Sequence, residues 1–204
     1  MANVCDFLLS MDIEASCTDP IVPGLEQEAV IMNRADIDFD AVTYDETRSN
    51  VLKNLAMLKG KRGYKIRVLG STPFSGTSTS FVAGNYQNTF TNTVQFVVLD
   101  NSPDVCNNVI DMLANGKFVI VLENSYKGLN KTSNKGDAAF QVYGFGQGLV
   151  ASAIENDKYS EDTNGGWLVT MQETKASNSG IFLYAGSYAA SKTLFDGLTE
   201  IAAS

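Results

Sequence analysis

Residues 89–122 read TFTNTVQFVVLDNSPDVCNNVIDMLANGKFVIVL, and the recurrence of apolar residues along this stretch decides the fold. Phe90, Val94, Phe96 and Val98 alternate with Thr89, Thr91, Thr93 and Gln95. That is the period of a strand with one covered face. The period then changes. Ser102 is suited to cap a helix, Pro103 to open it, and Asp104 to complement its positive end. Val105, Val109, Met112 and Leu113 form an apolar stripe, which predicts a helix over about 102–115 closed by Asn115-Gly116. KFVIVL (117–122) is apolar on both faces, as a central strand covered on each side should be.

Working outward, GYKIRVLG (63–70) and GWLVTMQE (166–173) repeat the two-residue period. AFQVYGFG (139–146) and IFLYA (181–185) read as further strands, and EAVIMNRADIDF (28–39) alternates more weakly. ETRSNVLKNLAMLKGKRG (46–63) suits either a helix or a strand; the reading adopted is a hairpin returning through KGKRG. Tyr188, Leu194, Phe195, Leu198 and Ile201 mark a second amphipathic helix, although Gly197 weakens it. Strands outnumber helices and follow one another too often for a βαβ series. The fold class is therefore mainly β: an antiparallel β-sandwich or barrel with one embedded α-helix and an extended loop or hairpin arm. No repeat or linker divides residues 1–204, which read as a single domain. It carries an N-terminal arm (1–27), an assembly loop (71–88) and a C-terminal helical tail (187–204).

Composition narrows function. With 44% hydrophobic and 19% charged residues the chain is globular, and no stretch approaches a membrane span. Asp6, Asp12, Glu14, Asp19, Glu26 and Glu28 all precede Arg34, the first base, which is the wrong charge for a signal or transit peptide. Cys5, Cys17 and Cys106 form no C-x-x-C motif and read as free thiols in a reducing compartment. There is no histidine, so the usual general base and the commonest transition-metal ligand are missing. Carboxylate or lysine chemistry remains, yet the expectation is no enzyme, no cofactor and no metal. A net charge of −8 argues against a surface that tracks phosphates.

GFGQGL (144–149) is the most catalytic-looking motif, a glycine run following a strand. A dinucleotide fingerprint needs G-x-G-x-x-G opening a long helix. Here Gly148 comes one residue early, and LVASAIENDKYSEDTNGG leaves about two helical turns before turn-forming residues take over. The run reads as a backbone bend between strands. ENDKYSEDTNGGW (155–167) fails as a calcium loop, because Met171 stands where the last ligand should be. It reads as a solvated acidic turn.

From Val68 to Leu99 there is no charged residue. Residues 71–88 are rich in Ser, Thr, Gly and Asn, with Phe74, Phe81 and Tyr86 spaced along them. Interface cores deplete charge and enrich aromatics, so these three side chains are the candidate subunit interface.

In order, NVLKNLAMLKGKRGYKIRVLG, the 88–128 stretch and AAFQVYGFGQGLVASAIENDKYSEDTNGGWLVTMQET resemble structural proteins of tailed bacteriophages and prophages of the Bacteroides group. The nearest comparison within virions is the tail-tube family. That resemblance implies a β-sandwich flanked by a helix, stacked as homo-oligomeric rings around a channel. The implied partners are further copies, other virion proteins and passing DNA bound without sequence specificity, in a virion assembled in the host bacterial cytoplasm. The long segment 1–27 departs from the comparison and suits a head, connector or decoration protein equally. The reading from another class is a monomeric ligand- or carbohydrate-binding sandwich, with Trp167 and tyrosines as stacking residues.

Overall fold

The strand at Phe118–Asn124 is buried from its first residue through Glu123, as its unbroken apolar run requires. It sits inside the larger of two sheets in a computed structural model describing residues 9–14, 20–128 and 136–203. In chain order the strands are β1 (Leu25–Asn33), β2 (Thr43–Tyr44), β3 (Val51–Asn54), β4 (Tyr64–Arg67), β5 (Ser78–Val82) and β6 (Thr89–Val98). They continue as β7 (Phe118–Asn124), β8 (Phe140–Tyr143), β9 (Val150–Asn156), β10 (Trp167–Ala176) and β11 (Ile181–Leu183). The large sheet has the order β2-β3-β11-β8-β7-β1-β4, and the small sheet β5-β6-β10-β9. All the pairings are antiparallel except β11 with β3. The fold is mainly β and consistent with a β-sandwich.

Alternation along the strands builds two cores. Ala29, Ile31, Ile120 and Leu122 face Val94, Phe96, Val169 and Met171 between the sheets. Val30, Met32, Val119 and Val121 point the other way, into a second core closed by Phe195 and Leu198. Phe195 belongs to helix α2 (Tyr188–Gly197), whose N-cap Ser187 accepts a hydrogen bond from the Ala190 amide. The helical part of the tail stops at Gly197, and 201–203 follow without regular structure.

Helix α1 runs through Pro103–Val105, a π-helical segment Cys106–Ile110, and Asp111–Asn115. Ser102 caps it, accepting from the Val105 amide. The expected stripe is corrected here. The π segment adds a residue to one turn, so Ile110 rather than Val109 follows Val105 into the core, with Leu113 beyond it. Val109 and Met112 turn outward and are exposed.

Two other expectations are overturned. Residues 51–67 are not a hairpin: β3 pairs with β2 and β11, whereas β4 pairs with β1 at the opposite edge. Leu55 and Met57 are consumed by the outer core, and the amide of Gly63 donates to Leu198 O at 2.7 Å. KGKRG therefore bonds to the C-terminal tail, with Gly60 N–H also donating to Ala202 O at 3.1 Å, instead of joining two paired strands. The strand expected over 28–39 ends at Asn33, whose side-chain amide donates to Asp36 Oδ2 at 2.8 Å across a 3-10 turn, Arg34–Asp36.

Within the N-terminal arm, 1–8 and 15–19, with Cys5 and Cys17, lie outside the described residues; Cys106 is a free, partly buried thiol.

Candidate functional site

The glycine loop carries the chain from β8 in the large sheet to β9 in the small one. Gly148 N–H donates back to Gly144 O at 2.9 Å, and Leu149 makes an isolated bridge with Phe118. Gly144 has φ +80°, and a Cβ there would lie 2.6 Å from Phe118 O. Only glycine fits. This is the bend between strands that the spacing indicated.

The loop does cradle a carboxyl group, and that group belongs to the protein. Glu173 on β10 is 4% exposed. Its Oε1 accepts from the Gln147 amide at 2.7 Å, and its Oε2 from the Gly144 amide at 3.2 Å. The Asn92 side-chain amide adds a third donor at 3.2 Å, while Asn92 Oδ1 accepts from Thr79 Oγ1 at 2.8 Å. Three N–H donors thus converge on the two oxygens of one buried side chain. With Glu173 in place, those amides are already used. Arg34 braces the far side of the loop, donating to Gly146 O at 2.7 Å while its guanidinium lies 4.8 Å from the Phe39 ring centroid.

A second buried carboxylate, Glu123 on β7, accepts from Lys127 Nζ and from the Tyr188 hydroxyl, each at 2.7 Å. Tyr188 stacks on Phe140 with centroids 5.8 Å apart. The Glu123 carboxylate, seconded by burial, pushes the Tyr188 phenol up to about 12. This cluster fastens the start of α2 to the large sheet.

The three candidate interface residues separate. Phe74 is 2% exposed and packs between the sheets, so it lies inside the subunit and not on its surface. Its φ of +56°, uncommon for a bulky residue, turns the ring back into the core. Phe81, on β5, is 59% exposed and meets Phe90 edge-on at 5.9 Å; Tyr86, in the β5–β6 turn, is fully exposed. All five residues of β5 are exposed, and one side of the strand pairs with β6 from Ser78↔Thr93 to Val82↔Thr89. Its other side pairs with no strand among the described residues. β5 contains no charge and no proline.

The acidic turn after β9 is closed by the side chain at its start: Asn156 Nδ2 donates to Gly166 O at 2.8 Å and to Gly165 O at 3.0 Å. Among the described residues no group of acidic or cysteine side chains is arranged to hold a metal ion.

Sequence reasoning did not find a cleft of about 940 Å³ between β4, the end of β6 and α1. Tyr64, Ile66, Leu69, Leu99, Val109 and Met112 contribute to its walls. The signal was present in the helix, whose apolar residues exceed what one core-facing stripe can use.

Comparison with protein-family models, curated proteins and solved structures finds no match to this chain.

Proposed function

We propose that the protein is a self-assembling virion structural subunit, nearest in kind to the tail-tube protomers that stack as rings around a DNA-conducting channel. The observation that supports this reading is the bare edge of β5. Natural sheet proteins protect an exposed edge with lysine, proline, a bulge or a covering segment, because unpaired N–H and C=O groups recruit other chains. β5 has no charge or proline within it, and Phe81 and Val82 stand exposed beside the open edge. Such an edge suits pairing with a second copy. An acidic chain also suits a channel wall that DNA must pass without adhering, since like charge repels it. Head, connector or decoration proteins share the same assembly logic. A monomeric ligand-binding sandwich is the competing reading, favoured by the apolar cleft beside α1.

Electron microscopy and sedimentation velocity of the concentrated protein separate these. Rings or tubes are expected, and Ser80→Lys with Val82→Lys should remove them while thermal unfolding stays near that of the parent. A chain that remains a monomer at every concentration overturns the proposal.

A further inference from the structure

The described part of the N-terminal arm reads Leu9-Ser10-Met11-Asp12-Ile13-Glu14, a strict alternation of apolar and polar residues. Leu9, Met11 and Ile13 are 85%, 82% and 90% exposed, so their side chains contribute almost nothing to their own core. Period two with one apolar face is the pattern of a strand seeking a covered side.

The cleft beside α1 offers such a side. β4 pairs with β1 along one edge and with no strand along the other among the described residues. Across the cleft, β6 pairs with no strand on its β5 side beyond Thr93, because β5 begins at Ser78 opposite it; Gln95 N–H there donates to Thr77 Oγ1 at 3.4 Å, and the edge is open past that point. Two sheet edges therefore flank an apolar gap. The register of β4 sets its faces: Tyr64 and Ile66 lie opposite Ile31 and Ala29 of the inter-sheet core. Lys65 lies opposite Val30, which faces the outer core. Lys65 and Arg67 share the single carboxylate of Glu28, at 3.4 and 4.0 Å, so the outer face of β4 carries a positive excess.

We infer that residues 9–14 of one copy add to the free edge of β4 in a second copy, antiparallel to it, completing the large sheet over the cleft. This rests on the proposal that the chain self-associates, and it names a contact separate from β5. In that pairing Leu9, Met11 and Ile13 lie over Tyr64, Ile66 and Met112, while Asp12 and Glu14 fall on the face of Lys65 and Arg67. Both faces match, apolar with apolar and acid with base. A second copy is favoured over the same chain by connectivity. A strand antiparallel to β4 is parallel to β1, and a parallel crossover takes about a dozen residues or more. Only residues 15–24 separate the arm from β1, and they include Pro20 and Pro23.

Hydrogen–deuterium exchange on the full chain tests this at low and high concentration. Amides of 9–14 and of β4 should slow together, roughly tenfold, as concentration rises. Met11→Asp with Ile13→Asp should abolish the protection of β4, and Leu69→Asp with Met112→Asp should abolish that of the arm. These four side chains are exposed, so both variants should unfold like the parent. Mixing the two variants should restore protection of β4 in the first and of the arm in the second. Protection of β4 that ignores concentration places the arm on its own chain and overturns the inference, as does unchanged exchange throughout. β5 is read in the same data. Protection of β4 without β5 sustains this contact and overturns assembly through β5; protection of β5 without β4 does the reverse.

Discussion

Glu173 accepts a hydrogen bond from the backbone N–H of Gly144 at 3.2 Å, so a glycine run with the look of a ligand loop is closed over an internal carboxylate. Removing that carboxylate strands the Gly144 amide and the Asn92 side chain in a buried site and takes the partner from the part-buried Gln147 amide. Glu173→Ala is expected to cost about 3 kcal/mol or more, since each buried donor left unpaired costs about 1–3. Glu173→Gln keeps the shape but brings an N–H₂ towards N–H donors, and should fall between. Urea unfolding midpoints check both; a loss below about 0.5 kcal/mol for the alanine variant is the magnitude of a surface change and contradicts a structural role.

The same geometry argues against nucleotide binding at this loop. A phosphate would have to displace Glu173 from donors it already occupies. Calorimetry with ATP, GTP and NAD is expected to be silent. A saturable micromolar heat with any of them would show the opposite.

Phe74 and Phe81 should respond differently to truncation. Phe74→Ala empties a site between the sheets and is expected to cost about 3–5 kcal/mol, as large aromatic deletions in cores do. Phe81→Ala and Tyr86→Ala remove exposed rings and should change subunit stability by no more than about 0.5 kcal/mol, while weakening assembly. Thermal unfolding and sedimentation of the same samples separate the two effects.

The Tyr188 phenol gives an alkaline signature. Its value stands at about 12 in the folded chain against an ordinary 10.0, chiefly because its hydroxyl donates to Glu123. The unfolded chain ionises first as pH rises, so folding takes up a proton between those values and stability falls there. The contribution is whole below about pH 10 and is lost as pH climbs towards 12. Tyr143, held up to about 12 by burial, should titrate late as well. Phenolate absorbance should therefore show a late fraction, and Tyr188→Phe should remove one residue from it. An early, uniform titration in the folded protein contradicts the hydrogen bond.

What the sequence determined by itself was local or periodic. Alternation in 89–99 and 166–173, the unbroken apolar run at 117–122, and the Ser102-Pro103 start of α1 are encoded in consecutive residues, and each became the expected element. The glycine spacing at 144–148 was enough to read a bend, because an early glycine and a missing helix are local facts. Tertiary structure alone decided whatever depended on partners distant along the chain. Val51–Asn54 and Tyr64–Arg67 look like the two arms of a hairpin, but the outer core takes Leu55 and Met57 and sends the strands to opposite regions of one sheet. Phe74 shares the composition of Phe81 and Tyr86, and only a left-handed backbone and an open place between the sheets put its ring inside. Glu173 reads as one polar residue in an alternating strand. Its role comes from amides 26 and 29 positions away, a pairing created by chain closure and absent from any local pattern.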